Sequence, residues 1–434
     1  MSGLKIGVHS KKICASLSWI LVMIVAVFAG FLNAKGQANA MRNMLFIATF
    51  FSIAMNIKNG KVVYCKKIPS YMAMWLIFLP FVLVSYKANT LGSLRIICGI
   101  LISLAFMMNV EWIGYSKIIL GAFAGINVFF TIFFFIMPQL YTFVINAYGT
   151  IPAGTSVGKA GYRAGITDHY SQNGIYISIF LILIVSELLA CYFTKEKDQK
   201  KQGIFFICCC ITLFSLLLTG KRGVLVFSVI AVVFTYLISS KRKVTNAIKI
   251  AVGILIALGI LQIMSEFVPE IGFVFERFQS VGDDGSTAER LAMWGLAINK
   301  FAKNPFFGNG FWSFRSFYHE NLAQIFHYND ERFQYLNAHN VYLQVLCETG
   351  VLGEIIYLSA ITLTLRQTIK IVRECEQINA GLKSAALFSL SMQIFYVIYS
   401  FTGNCLYDVV FLFYIFALSV TLCLDKNMRS ESLL

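Results

Sequence analysis

Five side chains from four separate places along the chain could act together on a phosphorylated substrate: His339, Arg290, Arg222, Lys221 and Arg163. An imidazole with an ordinary pKa near 6.5 suits a general base at neutral pH. Guanidinium forks match phosphate oxygens two at a time, and a lysine adds a point charge. A leaving pyrophosphate needs its developing charge neutralised, which placed cations can do without a metal. Each residue also has a plainer reading. His339 could be a helix-start histidine bonded to loop backbone, Lys221 and Arg222 a snorkelling pair among headgroups, and Arg163 and Arg290 solvated surface cations.

Other chemistries find little footing. Asp283-Asp284 has no histidine at useful spacing, and His319 and His327 stand eight apart in an aromatic-rich stretch suited to packing or exposure. No phosphate-binding Gly-x-x-x-x-Gly-Lys-[Ser/Thr] pattern occurs. No metal site and no cofactor are therefore expected. Of the 11 cysteines, Cys14, Cys98, Cys191, Cys208, Cys209, Cys210, Cys347 and Cys423 lie in or at apolar runs. A disulfide framework would place them in exported loops, so they act as small hydrophobes.

The elements that must position these groups follow from composition. The 434 residues are 58% hydrophobic and 13% charged, far below the roughly 25% charged residues of a soluble domain. Runs of about 17–25 apolar residues can each cross a bilayer as a helix. The expected fold is all-α: one polytopic transmembrane bundle over residues 1–434, with about twelve helices. Closed β-barrels need alternating segments of about ten residues, which the unbroken runs exclude. The net charge of +15 does not indicate nucleic acid. Lysines and arginines collect in short loops that fall on one side, as positive-inside topology requires. The largest polar loop, residues 268–338, holds six Lys/Arg against eight Asp/Glu.

Lys11-Lys12 precede the first apolar run, 13–32, which is longer than a signal-peptide core and is expected to be a retained helix. Further runs lie near 43–57, 71–86, 94–110, 118–137, 174–193, 203–218, 224–239, 248–267, 339–365, 384–402 and 406–424. Both termini are then cytoplasmic, and residues 138–173 and 268–338 are external loops. The Thr219–Gly223 turn is also external, on the side that usually lacks cations. Anion binding above the membrane, helped by backbone N–H groups at a helix start, would account for Lys221 and Arg222 there. In the large loop, Ser286–Glu289 fits a capping box. Leu291, Trp294, Ile298 and Phe301 recur at helical spacing, giving an amphipathic helix over about 287–303 that lies along the membrane surface. Arg290 falls in its first turn, where the helix dipole disfavours a cation, so a partner elsewhere is expected. On the helix starting at His339, Leu343, Leu346, Gly350 and Gly353 share the histidine's face, and Glu348 lies opposite. The two glycines leave room for a close helix neighbour or an acyl chain.

Three pieces resemble the O-antigen ligase and polysaccharide polymerase superfamily of bacterial inner-membrane enzymes. One is Ala288-Glu289-Arg290-Leu291-Ala292-Met293-Trp294 leading to Asn304-Pro305-Phe306-Phe307-Gly308-Asn309-Gly310. The second is Ala338-His339-Asn340-Val341-Tyr342-Leu343 leading to Glu348-Thr349-Gly350-Val351-Leu352-Gly353. The third is the Lys221-Arg222-Gly223 turn. The resemblance implies transfer of a glycan from an undecaprenyl-pyrophosphate carrier at the periplasmic face. The acceptor is a hydroxyl of another carrier-linked repeat in a polymerase, or of lipid A-core in a ligase. It implies His339 as activator of the acceptor hydroxyl and Arg222 and Arg290 as holders of the pyrophosphate, with Arg163 and Lys221 assisting. Its other partners are the bilayer, a chain-length regulator and a flippase, with no nucleic acid. The ten residues between Arg163 and Gly174, and a second sizeable external loop, lean toward polymerase. A transporter or flippase of lipid-linked glycan is the contrasting class, but transporters concentrate ionisable groups near the midplane. Here such groups cluster at helix ends.

Overall fold

The computed structural model describes residues 2–58, 61–62, 67–84, 90–107, 110–149, 162–195, 198–279, 285–318, 336–374 and 380–431. His319, His327, Asp283, Asp284 and part of the first external loop lie outside them. Its secondary structure is helical apart from one pair of two-residue strands, Ile57–Lys58 and Lys61–Val62. The helices are α1 (Ser2–Ala34), α2 (Ala38–Ala54), α3 (Ser70–Leu83), α4 (Thr90–Phe106), α5 (Trp112–Ile136) and α6 (Thr142–Tyr148). They continue with α7 (Tyr170–Thr194), α8 (Gln199–Leu218), α9 (Arg222–Ser239), α10 (Lys243–Ser265) and α11 (Pro269–Gln279). The last four are α12 (Gly285–Phe301), α13 (Val341–Glu374), α14 (Ala380–Tyr399) and α15 (Val410–Glu431).

Among the described residues, nine helices are long and apolar enough to cross a membrane: α1, α5, α7, α8, α9, α10, α13, α14 and α15. Helices α3 and α4 are apolar but shorter, and the 17-residue α2 completes the twelve runs expected from sequence. The protein is thus a multi-pass all-α membrane protein. Burial grades outward from a centre. In α15, 89% of the most apolar window is buried, against 78% in α14, 72% in α7 and none in α10. Central helices carry aromatic packing, with Trp75 of α3 against Tyr357, Phe411 and Tyr414 at 5.7–5.9 Å between ring centroids. A buried polar knot joins them, in which Gln393 Nε2 donates to Thr368 and Thr421 hydroxyls at 2.8 and 3.1 Å. Hydrogen bonds buried between helices in this way favour one packing over others. The nine cysteines among the described residues are all free.

Three boundaries differ from the sequence expectation. Helix α12 starts at Gly285, so Arg290 occupies its second turn, not its first. Helix α9 starts at Arg222, so that cation sits at the helix's positive end. Helix α13 starts at Val341, leaving His339 outside it with φ +51°. The shared helical face proposed for His339 and the two glycines therefore does not exist. Gly350, with φ 69° and ψ −174°, also breaks the helical path.

Candidate active site

The site rests on a seat built from the two longest motifs. Asn304-Pro305 ends the α12 segment, and the chain then crosses the break in α13. Pro305 O and Phe306 O accept from Val351 N and Leu352 N at 2.8 and 3.3 Å, and Gly310 N donates to Glu348 O at 2.9 Å. Asn309 Nδ2 donates to Lys300 O and Cys347 O, both at 3.0 Å. The two backbones touch at Gly308 and Gly350. A Cβ on Gly350 would lie 2.3 Å from Phe306 O, and one on Gly308 would lie 2.3 Å from Glu348 O. Only glycine allows both this approach and the positive φ. The room Gly350 leaves is filled by Phe306 backbone.

Glu348 locks the next stretch. Its fully buried carboxylate accepts from Trp312 N (2.8 Å), Phe314 N (3.1 Å), Gln344 Nε2 (3.1 Å) and Tyr407 OH (2.8 Å). Helix α12 closes over this seat. Met293 and Ala297 pack with Phe314, Tyr318, Ala338 and Cys347, and Trp294 Nε1 donates to Ala338 O at 3.1 Å. Leu291 and Ile298, on the stripe expected to face the bundle or lipid, point outward. This suits a helix with protein on one side and lipid on the other.

His339 follows Ala338 directly. Its left-handed backbone costs a non-glycine residue about 1–2 kcal/mol and is held by neighbours. Its N–H donates to Asn404 Oδ1 at 3.1 Å, and Val341 N donates to Ser400 O at 2.8 Å. The Asn404 amide then faces His339 Nδ1 at 3.5 Å, too far to fix the ring tautomer. Burial pushes the imidazole pKa down to about 4, aided by the charges of Arg290, Lys221 and then His169. The ring is therefore neutral at pH 7 and able to take a proton. The electrostatics bring Arg290 and Lys221, 69 residues apart in sequence, to bear on one imidazole.

The Thr219–Arg222 turn supplies the second wall. Gly220 takes φ +63°, and Phe273 of α11 lies against it. Arg163 N donates to Leu218 O at 3.2 Å, while Arg163 O accepts from Asn173 Nδ2 at 2.9 Å. Gly174 faces Lys221 and Thr219, where a Cβ would sit 3.3 Å from each side chain. The Arg163–Gly174 segment is thus built into the turn that carries Lys221 and Arg222. The Arg163 guanidinium itself turns toward the Phe135 ring at 6.0 Å, lining a small cavity with Thr131 and Tyr141. The structure so gathers His339, Arg290 and Lys221 by charge, and ties Arg222 and Arg163 to them by backbone.

Sequence reasoning passed over three residues here. His169 caps α7, its Nδ1 accepting from Ser171 N at 3.0 Å. It stacks on Tyr170 at 4.5 Å, and burial with the Lys221 charge lowers its pKa to about 4. Asn404 holds the His339 backbone, and Tyr399 interacts electrostatically with Arg290 and Asp408. His169 had a signal: it is one of only five histidines and, like His339, stands at the start of an apolar run. Asn404 and Tyr399 had none, since their partners lie 65 and 109 residues away.

The fold and site define a class, a multi-pass helical membrane protein whose helix ends gather a neutral imidazole and several cations. Residues 207–358 match the family model described as O-antigen ligase. That segment, about a third of the chain, runs through the Lys221–Arg222 turn, Arg290 and His339 and is similar to that family. A search of curated proteins finds no match.

Proposed function

We propose that this protein polymerises undecaprenyl-pyrophosphate-linked oligosaccharide repeats at the outer face of the bacterial inner membrane. In this reading residues 138–173 and 268–338 face the exterior, and both termini are cytoplasmic. The acceptor hydroxyl gives its proton to the His339 imidazole as its oxygen bonds the donor's anomeric carbon. The bond from that carbon to the pyrophosphate breaks, with inversion. The departing carrier pyrophosphate takes the bonding pair, and its negative charge is met by Arg290, Arg222 and Lys221, with Arg163 in support. No metal or nucleotide takes part.

The observation that carries this reading is the joint action of the Arg290 and Lys221 charges on the His339 ring. It also links binding to chemistry. A pyrophosphate lodged between those cations offsets their field, so the imidazole becomes a stronger base as the donor arrives. The polymerase assignment is favoured by the Arg163–Gly174 segment, which packs into the cation turn. The family description favours a second reading, transfer to lipid A-core.

Reconstitution with a defined undecaprenyl-pyrophosphate-linked repeat tests both. Wild-type protein should build long carrier-linked chains without lipid A-core, whereas product appearing only when lipid A-core is added would select the ligase. His339→Ala should fold and insert normally yet lose about 10²–10⁴-fold in rate, the usual worth of a general base. Normal product amounts from that variant would remove His339 from the reaction.

A further inference from the structure

The bundle has a second charged cavity, at the end away from His339. Helices α7, α9 and α13 begin beside His169, Arg222 and His339, and their far ends reach this cavity through Thr194, Ser239 and Arg373. The 18 residues of α9 alone set the two ends about 27 Å apart. The cavity measures about 1120 Å³, just above the roughly 300–1,000 Å³ of small-molecule sites. Seven of its sixteen lining residues are Lys or Arg and none is Asp or Glu. Lys195, Lys241, Arg242, Lys243, Lys249 and Arg373 form the rim and walls. Lys383 lies deeper, 6% exposed, its Nζ donating to Val372 O at 2.8 Å.

Nearby acids are engaged elsewhere. Glu187 is bound by Lys117 at 2.7 Å and Ser384 at 2.6 Å. Asp425 accepts from Tyr71 and Gln367 at 2.8 and 2.9 Å. Cations gathered only to orient helices need no shared cavity, but these converge on one. Its apolar surroundings point to a lipid. Helix α10 rises from the cavity's edge with no buried residue along its 23 positions, exposing Ile248, Val252, Leu255 and Ile256. Thr245, Asn246 and Ser240 add neutral hydrogen-bonding groups at headgroup level, and Tyr192 beside them is an interfacial aromatic.

We propose that this cavity binds the headgroup of an anionic glycerophospholipid, best one bearing two phosphates, with acyl chains lying along α10. Basic pockets between transmembrane helices take such headgroups, each nearby cation adding to the attraction.

Native mass spectrometry of the purified full-length protein tests this. The probes are diphosphatidylglycerol, phosphatidylglycerol, phosphatidylethanolamine and inorganic pyrophosphate. Wild type should retain diphosphatidylglycerol above phosphatidylglycerol, and both above phosphatidylethanolamine. The combined variant Lys241→Gln, Arg242→Gln, Lys249→Gln should weaken diphosphatidylglycerol on the order of a hundredfold, from three lost charges. Arg222→Gln, at the other end, should leave that binding unchanged. Equal retention of phosphatidylethanolamine, or an unaltered triple variant, would overturn the proposal. So would pyrophosphate displacing the lipid at equal concentration, which would make the site one for soluble anions.

Discussion

Glu348 accepts four hydrogen bonds from groups that fit it, whereas His339, nine residues earlier, has its charged form opposed by burial and by like charges. The seat around Glu348 and Gly350 is closed, with the Glu348 oxygens matched and its backbones in contact. Around His339, cations from α12 and from the turn before α9 bear on one half-buried ring held in a left-handed backbone. Completed networks set a fold, while unbalanced charge at a helix end favours an anionic ligand. The two longest motifs hold both roles side by side.

If this division holds, Glu348→Ala should damage folding most. It would orphan two buried backbone N–H groups and a hydroxyl, at about 1–3 kcal/mol each. A sharp fall in thermal stability in detergent, with little folded protein recovered, is expected. Glu348→Ala protein as stable as His339→Ala would erase the contrast. Gly350→Ala comes next, combining a Cβ 2.3 Å from Phe306 O with φ 69°. It should loosen the Asn304–Gly310 segment, seen as faster proteolysis there. Asn404→Ala should act least. Losing one hydrogen bond to His339 N–H costs about 1 kcal/mol, so turnover should fall severalfold with KM nearly unchanged and stability hardly moved. A rise in KM instead would make Asn404 a substrate-binding group.

Much of this architecture was legible in the residues. Apolar runs anticipated the nine described helices that are long and apolar enough to cross a membrane, because length and hydropathy are local properties. Helix ends were less legible, because caps depend on partners. His339 looked like the first residue of a helix, but Asn404 and Ser400, from the turn after α14, hold the chain in another conformation. With His339 outside α13, the expected opposition across one helix does not position Glu348. What it faces, a loop folded back from residues 312–314, could not be inferred from α13 alone. Arg290 was expected to need a distant partner, and its charge acts on His339 and Tyr399. Arg163 was expected at the pyrophosphate with the other cations. Its backbone joins that turn, yet its guanidinium packs over Phe135.

The central claim is that Arg290 and Lys221 share a pocket with a neutral His339. Histidine-labelled protein, titrated by NMR with and without inorganic pyrophosphate, tests it directly, His339→Gln assigning the resonance. The His339 pKa should lie near 4 in free protein, rise when pyrophosphate binds, and rise in Arg290→Gln without ligand, since losing a cation favours the imidazolium. Because the unfolded chain takes up the proton first, stability should also fall as pH drops from about 6.5 toward 4. A His339 titrating near 6.5, unmoved by pyrophosphate and by Arg290→Gln, would contradict the account.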